Sequence, residues 1–159
     1  KGGVLADLGG KDDNNALLLE AHTDTLGGMV AEVKSNGRLR ITPLVGMNAC
    51  NAETENVRIY TRSGKIYEGA LQLCNASIHV NGDFSTVSRT WDSVEIVIDE
   101  DVKTDEDTRK LGIETGDIVC FEPRTRRTES GYLKSRFLDD KLSVGILLGF
   151  AILTIDPTK

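Results

Sequence analysis

The chain has 159 residues, the length of one ordinary domain, so it can bury a hydrophobic core without disulfide or metal staples. Its formal net charge of −6 and its lack of any lysine- and arginine-rich run argue against a nucleic acid partner. With 39% hydrophobic and 28% charged residues, its composition is that of a globular protein rather than a disordered one.

The cysteines and the first residues of the chain indicate the cellular compartment of the protein. Cys50, Cys74 and Cys120 are odd in number and form no CxxC pair, which favours buried free thiols in a reducing cytoplasm. The chain starts at Lys1 without a secretory signal pattern, so we expect a cytoplasmic protein and a sequence that begins inside a longer one. The most apolar stretch, Leu142–Leu153, is too short to span a bilayer, and no membrane partner is expected.

The first predicted element is a strand at Leu17–Leu19, whose continuous apolar run is typical of a strand buried on both faces. The run ends in Glu20-Ala21-His22. Polar side chains at the carboxyl end of such a strand lie where open α/β sheets carry out their chemistry. The sequence therefore predicts that the chain opens with part of an α/β domain.

A β-rich block follows. Asn36-Gly37 predicts a hairpin between Met29–Lys34 and Arg38–Pro43, and Ser63-Gly64 predicts a second between Val57–Arg62 and Lys65–Leu71. Two further strand-like runs cover residues 93–98 and 117–121. Several short strands with turn signals between them predict a small barrel or sandwich.

Two helices are also indicated. Thr104 followed by acidic residues, with Gly112 beyond, is typical of a short capped helix, and Lys141–Leu153 predicts an apolar helix packed on nearly every side. The resulting organisation is α/β with an inserted β-barrel. Residues 1–25 form the first part of the α/β domain, residues 26–122 the barrel, and residues 123–159 the return into the α/β domain.

The first candidate site is Ala21-His22-Thr23-Asp24 at the end of the predicted strand. His22 could bind a divalent metal while the carboxylate of Asp24 holds its other ring N–H. The alternative is a hydrogen-bonded structural histidine at a strand end. From this motif alone the choice stays open.

The second candidate site is the acidic pair Asp139-Asp140 at the mouth of the apolar helix. One of the two carboxylates could bridge two metal ions about 3.5 to 4 Å apart, as in two-metal hydrolases. Alternatively, both could stabilise the positive end of the helix dipole. The motif by itself does not decide between them.

Three other features favour plain structural roles. His79 is interpreted as an ordinary surface or structural histidine, although it could reach a neighbouring subunit's site. Trp91 could anchor a subunit interface or pack on the barrel. The acidic run Asp99–Asp101 is most simply a solvated loop, with loose calcium binding as the alternative.

The motifs together resemble the glutamyl aminopeptidase and tetrahedral (TET) aminopeptidase family. His22-Thr23-Asp24 lies in a segment similar to that family's His-x-Asp-x-x-Gly-x-x-Val motif. Gly112-Ile113-Glu114-Thr115-Gly116-Asp117 looks like its Gly-Ile-x-x-Gly-Asp segment. Residues 136–141, Arg-Phe-Leu-Asp-Asp-Lys, look like its Arg-x-Leu-Asp-Asp-Arg box. Order and separation agree, so the resemblance spans nearly all of the chain.

This resemblance implies a site and an assembly. His22 would ligate one of two zinc or cobalt ions, Asp139 would bridge both, and Asp24 would act in catalysis by orienting His22. Asp140 would support the site, and the Asp139–Asp140 peptide would be cis. The barrel would be the family's dimerisation domain, which builds a homo-oligomer of dimers, with a larger tetrahedral shell as one such assembly.

The chain also departs from the family pattern. Thr25 and Gly28 stand where members usually have an acidic and an aromatic or aliphatic residue, and Lys141 replaces the usual arginine. The adjacent glutamates that supply the general base and a ligand would follow the apolar helix, as would a further carboxylate and a last histidine. We therefore expect those groups beyond Lys159 and an inactive 159-residue segment.

The resulting hypothesis for the complete protein is a metallo-aminopeptidase that removes residues from the amino termini of peptides with a metal-activated water. The alternative from another class is a non-catalytic assembly module of a degenerate peptidase homologue. Some relatives are labelled endoglucanases, but a glycosidase needs two carboxylates flanking a sugar bond, which a His-plus-Asp metal pattern does not supply.

Overall fold

The computed structural model describes residues 2–12 and 14–155 and divides into two compact units. One unit is Leu26–Lys134, and the other combines Lys1–Thr25 with Ser135–Lys159. The first unit thus ends at Lys134, whereas the barrel domain predicted from the sequence ends at residue 122. The assignment of the two units to an inserted and a catalytic domain stays a prediction.

Most of the elements belong to the first unit. In chain order its strands and helices are β1 (Gly27–Val33), β2 (Leu39–Leu44), a 3-10 helix (Ala49–Asn51), β3 (Asn56–Tyr60), β4 (Ile66–Leu73), β5 (Val94–Ile98), α1 (Asp105–Lys110), β6 (Ile118–Phe121), β7 (Arg126–Arg127) and β8 (Leu133–Lys134). The strands β1-β2-β5-β4-β3-β6 form a closed antiparallel barrel, because β6 also pairs with β1. The predicted barrel and both predicted hairpins are confirmed.

Period-two alternation explains the barrel. Along β3, Val57 and Ile59 point inward and are buried while their neighbours are exposed, as expected for a sheet with one face on a core. Closure leaves no edge strand among these six, which protects their backbone groups from pairing elsewhere. The largest fully buried apolar side chains include Leu39, Ile41, Ile59, Leu71, Ile96 and Ile113.

Turns and caps follow their sequence signals. Gly37 adopts a φ of +79° in the β1–β2 turn, a left-handed conformation that a side chain would strain. Helix α1 begins at a complete capping box, in which Thr104 accepts from the Asp107 amide and the Asp107 carboxylate accepts from the Thr104 amide. Thr108 then joins the helix to the turn through a 2.7 Å bond to the Gly37 carbonyl.

The second unit contains α2 (Lys141–Ile155), as predicted, but two expectations about its packing are wrong. No described residue of α2 is buried, and Leu17–Leu19 form no strand and are 82%, 69% and 52% exposed. A buried strand requires hydrogen-bonded neighbours and a covering layer. The described residues of this unit supply neither.

The expectation of buried thiols is also wrong. Cys50, Cys74 and Cys120 are free but exposed. Cys120 lies at an outward position of β6, Cys74 directly follows β4, and Cys50 lies in the 3-10 helix. Outward positions of a strand alternate with core positions, so an apolar residue type does not ensure burial.

No helix within the described residues has the length and apolar character needed to cross a bilayer.

Candidate metal centre

Two distant stretches of sequence meet in the second unit. His22 lies in an irregular segment before β1, and Asp139 lies in the turn before α2. Their side chains approach to 3.2 Å between His22 Nε2 and Asp139 Oδ1. The structure therefore brings together the two residues that the sequence suggested as metal ligands.

Asp24 occupies the opposite side of the imidazole. Its Oδ1 lies 3.0 Å from His22 Nδ1, within hydrogen-bonding distance. A neutral imidazole has one N–H donor and one lone pair, so donation from Nδ1 to Asp24 leaves the Nε2 lone pair directed toward Asp139. This is the usual arrangement of a metal-binding histidine and its supporting carboxylate.

The spacing of the donor atoms fits a shared cation. Two ligand atoms at about 2.0 to 2.1 Å from a tetrahedral zinc ion lie about 3.3 Å apart. The 3.2 Å between His22 Nε2 and Asp139 Oδ1 agrees with that geometry. One nitrogen and one carboxylate oxygen are also donor types that zinc accepts.

Stability gives a poor explanation of this cluster. The side chains of His22, Asp24 and Asp139 are 53%, 75% and 91% exposed. Ion pairs at such exposure contribute about 1 kcal/mol or less. The contacts among these three side chains therefore add little to the stability of the fold.

The donor set is nevertheless partial. Among residues 2–12 and 14–155, no three histidine, cysteine, aspartate or glutamate side chains are grouped so as to hold a metal ion. A zinc ion in a protein takes at least three protein ligands. His22 and Asp139 thus fit part of a metal centre.

The acidic pair occupies the start of α2. The Asp139–Asp140 peptide is cis, as the resemblance implied. The Asp140 carbonyl accepts from the Val144 amide at 3.1 Å, so Asp140 takes part in the first turn of the helix while Asp139 faces His22.

The other candidates lie in the barrel unit. His79 is exposed in a turn segment, and the acidic residues 99–101 are exposed. The indole Nε1 of Trp91 donates to the Met47 carbonyl at 3.1 Å, which agrees with the barrel-packing interpretation, and an interface role stays a prediction. Two surface cavities of about 340 and 410 Å³ are lined by barrel residues, Glu100 in the first and Trp91 in the second, and by none of His22, Asp24, Asp139 and Asp140.

Sequence reasoning missed one part of the site. Phe137, two residues before Asp139, has a positive φ of 59°, and the Lys141 ammonium donates to its carbonyl at 3.3 Å. The only signal in the sequence was the lysine itself, which stands where the family usually has an arginine. Backbone conformation at an aromatic residue leaves no sequence signature.

Comparison with known proteins extends these observations. The Bacillus subtilis (strain 168) protein named "Putative aminopeptidase YhfE" is 45% identical over 148 residues, which cover 93% of this chain and 43% of that protein. The chain thus spans well under half the length of this relative.

Solved structures show the same fold. The aminopeptidase APDkam598 from the archaeon Desulfurococcus kamchatkensis superposes with a TM-score of 0.72 at 24% identity, covering 84% of this chain and 35% of that one. The Pyrococcus horikoshii TET1 peptidase gives a TM-score of 0.65 at 23% identity, covering 81% and 37%. At these identities the similarity establishes the fold: two pieces of an aminopeptidase α/β domain flanking a β-barrel.

The family model described as M42 glutamyl aminopeptidase matches residues 2–155, which is nearly the whole chain. With the His22 and Asp139 motifs in place and the fold shared, the chain belongs to the M42 glutamyl aminopeptidase family.

Proposed function

We propose that the full protein carrying this chain is a metal-dependent aminopeptidase that hydrolyses the first peptide bond of peptides with a free amino terminus. The observation that carries the proposal is the 3.2 Å approach of His22 Nε2 to Asp139 Oδ1 across two separate sequence motifs. Family membership supplies the reaction class, and the geometry supplies residues suited to it.

The residues of this chain have distinct roles in that reaction. Asp24 accepts the Nδ1–H of His22 and so fixes the tautomer and the plane of the ring. His22 would then offer its Nε2 lone pair, and Asp139 its carboxylate, as ligands for the metal. Asp140 supports the site from the first turn of α2. Two zinc or cobalt ions, when bound, polarise the scissile carbonyl and lower the pKa of a bound water.

The described residues alone are a partial enzyme. Two donor atoms leave each cation short of its ligands, so we expect the 159-residue chain to bind metal weakly and to hydrolyse nothing.

The exposed apolar surface of the second unit agrees with this view. Leu17 and several side chains of α2 are at least half exposed, including Leu142, Ile146, Leu148, Phe150, Ile152 and Leu153. Exposure of so many large apolar side chains is typical of a surface that other protein covers. We propose that the remainder of the catalytic domain covers it.

Assembly into a homo-oligomer is part of the proposal. The TET1 peptidase of Pyrococcus horikoshii can assemble into a tetrahedron or a large octahedral shell. In this chain Ile66, Tyr60 and Ile118 are direct partners on the adjacent strands β4, β3 and β6, and all three are exposed. An apolar row on the outside of the barrel suits contact with a second copy. The three free cysteines fit a cytoplasmic location.

The test uses the full natural chain that carries these residues, with aminoacyl reporter substrates. We expect release of the reporter to require zinc or cobalt, to stop on exhaustive chelation and to return on addition of the metal. His22→Ala should abolish release, and His79→Ala should retain it because His79 lies in the barrel unit. Activity that survives chelation, or survives His22→Ala unchanged, would falsify the proposal.

The competing function is a non-catalytic assembly module. It predicts a stable oligomer that releases no amino acid with any metal, whereas the peptidase requires both assembly and release. Sugar release from a cellulose substrate, measured with and without a chelator, separates the glycosidase alternative in the same preparation.

A further inference from the structure

The turn that carries Asp139 has an uncommon backbone conformation. Phe137 adopts a φ of 59°, in the left-handed region that residues with a side chain rarely occupy. Because an L-amino acid is less stable in this region than in the right-handed one, surrounding contacts have to hold it there. The direction of the Asp139 carboxylate depends on this turn.

One such contact comes from the first residue of α2. The Lys141 ammonium donates to the Phe137 carbonyl at 3.3 Å, and the Leu142 amide donates to the Leu138 carbonyl at 3.0 Å. Together these bonds link the helix start to both residues that precede Asp139. The Arg136 guanidinium lies 4.9 Å from the centre of the Phe137 ring and adds a contact on the side chain.

Lys141 is at a position that disfavours its charge. The amino-terminal end of a helix carries a partial positive charge, so a cation in the first turn opposes the helix dipole. Residues that violate such a local preference often do so at functional sites. Here the side chain turns back toward the Asp139 turn, where its ammonium has an acceptor.

We propose that Lys141 is a positioning residue that holds the 137–140 turn so that Asp139 faces His22. This inference rests on the proposed metal-dependent function and deepens it, because it names a residue that sets the geometry of one ligand without binding the metal. The bond from Nζ to the Phe137 carbonyl is the means, and the 3.2 Å spacing of His22 and Asp139 is what it maintains.

The experiment measures metal binding by the full natural chain rather than its activity. Cobalt(II) is titrated in competition with a chelator, and the visible absorption of the bound cobalt reports its ligand geometry. Lys141→Met should weaken the cobalt Kd about tenfold, the loss typical of a missing supporting contact, and should change the cobalt spectrum. Lys141→Arg keeps both charge and donors and should restore the wild-type Kd and spectrum.

The matched control is Lys103→Met. Lys103 is 82% exposed in the barrel unit, with its Nζ 3.6 Å from Asp101, so its loss should leave cobalt binding unchanged. Hydrogen exchange in the metal-free protein gives an independent readout. Lys141→Met should speed exchange of the Leu142 amide, which joins the helix to the turn.

If Lys141→Met does not fold, Lys141→Gln, which loses the charge and shortens the side chain, takes its place and should show the same loss. A folded variant of either kind with the wild-type Kd and the wild-type spectrum overturns the positioning role and leaves the proposed function intact. A wild-type protein that binds no cobalt overturns the proposed function and the positioning role with it.

Discussion

The two units differ in how they treat their apolar residues. Every buried hydrophobic residue of the described chain, from Val30 to Phe121, lies in the barrel unit. The other unit has none, although α2 is almost wholly apolar. The barrel therefore has a core of its own, whereas the unit with His22 and Asp139 presents apolar surface and the candidate metal ligands.

This difference separates stability from chemistry. A closed six-stranded sheet pairs its strands and buries its inward side chains within one continuous stretch of chain. The residues that we propose as metal ligands, His22 and Asp139, come from stretches on either side of it. We infer that folding of the barrel and completion of the metal centre depend on different parts of the protein, and the following experiments test that separation.

The largest effect is expected at the metal centre of the full natural chain. Asp139→Asn removes the charge of the proposed bridging carboxylate, which should lower kcat/KM more than the roughly 100-fold that loss of a supporting contact costs. Reporter release at saturating zinc or cobalt measures the effect. Asp101→Asn, in an exposed loop of the barrel unit, is the control. Equal activity of the two variants would contradict the proposed role of Asp139.

The next effect contrasts the two apolar environments directly. In this 159-residue chain, Ile59→Ala removes a fully buried barrel side chain and should lower the free energy of unfolding by about 2 to 5 kcal/mol. Leu148→Ala, at a position 60% exposed in α2, should change it by about 0.5 kcal/mol or less. Urea unfolding, monitored by the fluorescence of Trp91, measures the unfolding free energy of both variants. Similar losses in both variants would mean that α2 has a core that the structure does not show.

A third experiment tests the ion pairs at the barrel. Glu95 is 1% exposed and accepts from Lys34 and Arg38. Burial raises the pKa of Glu95, but the bonds from Lys34 and Arg38 outweigh it and hold that pKa below its ordinary value. Glu95→Gln leaves both cations without their buried partner and should cost about 3 kcal/mol at neutral pH.

The pH dependence of that cost has a definite sign. Because the folded-state pKa of Glu95 is depressed, its stabilisation is complete above the ordinary value of 4.5 that the unfolded chain has. It is lost as the pH falls through the folded value. Urea unfolding between neutral and acidic pH should show the wild type approaching Glu95→Gln below about pH 4. If the difference in unfolding free energy between wild type and Glu95→Gln stayed constant down to acidic pH, packing rather than charge would explain the lower stability of the variant.

The smallest effect concerns a local element of the barrel unit. Thr104→Ala removes the hydroxyl that caps α1 and should lower the free energy of unfolding by about 1 kcal/mol. Thr25→Ala is the matched control, because the Thr25 hydroxyl is exposed and its nearest acceptor, the Thr23 carbonyl, is 3.4 Å away. Thermal unfolding of both variants measures the difference, and reporter release by the full chain should be unaffected by Thr104→Ala.

The local elements were predictable because their signals lie within a few residues. Asn36-Gly37 supplies the turn between β1 and β2, Ser63-Gly64 the turn between β3 and β4, and Thr104 with Asp107 the start of α1. The ligand candidates could be named because His22-Thr23-Asp24 and Asp139-Asp140 match short family motifs. Without the resemblance, neither motif excluded the alternative that its residues have a purely structural role.

Burial was less predictable because it depends on what lies opposite a side chain. The runs at Leu17–Leu19 and in α2 are as apolar as core elements, yet both are exposed. The conformation of Phe137 and its bond to Lys141 also had no signal in the residue types. Hydrophobicity shows what a residue prefers, and only the neighbouring layer shows whether that preference is met.

By itself, the sequence determined the turns, the capped helix and the alternating strands, because hydrogen bonding and periodicity within short stretches specify them. It also named the two candidate metal-binding motifs through their resemblance to a family. Only the tertiary structure decided the strand order of the barrel, the exposure of α2 and the 3.2 Å approach of His22 to Asp139. Each of these depends on contacts between residues far apart in the chain. Bringing such residues together costs chain entropy, and the contacts that offset this cost form only when the intervening chain has folded.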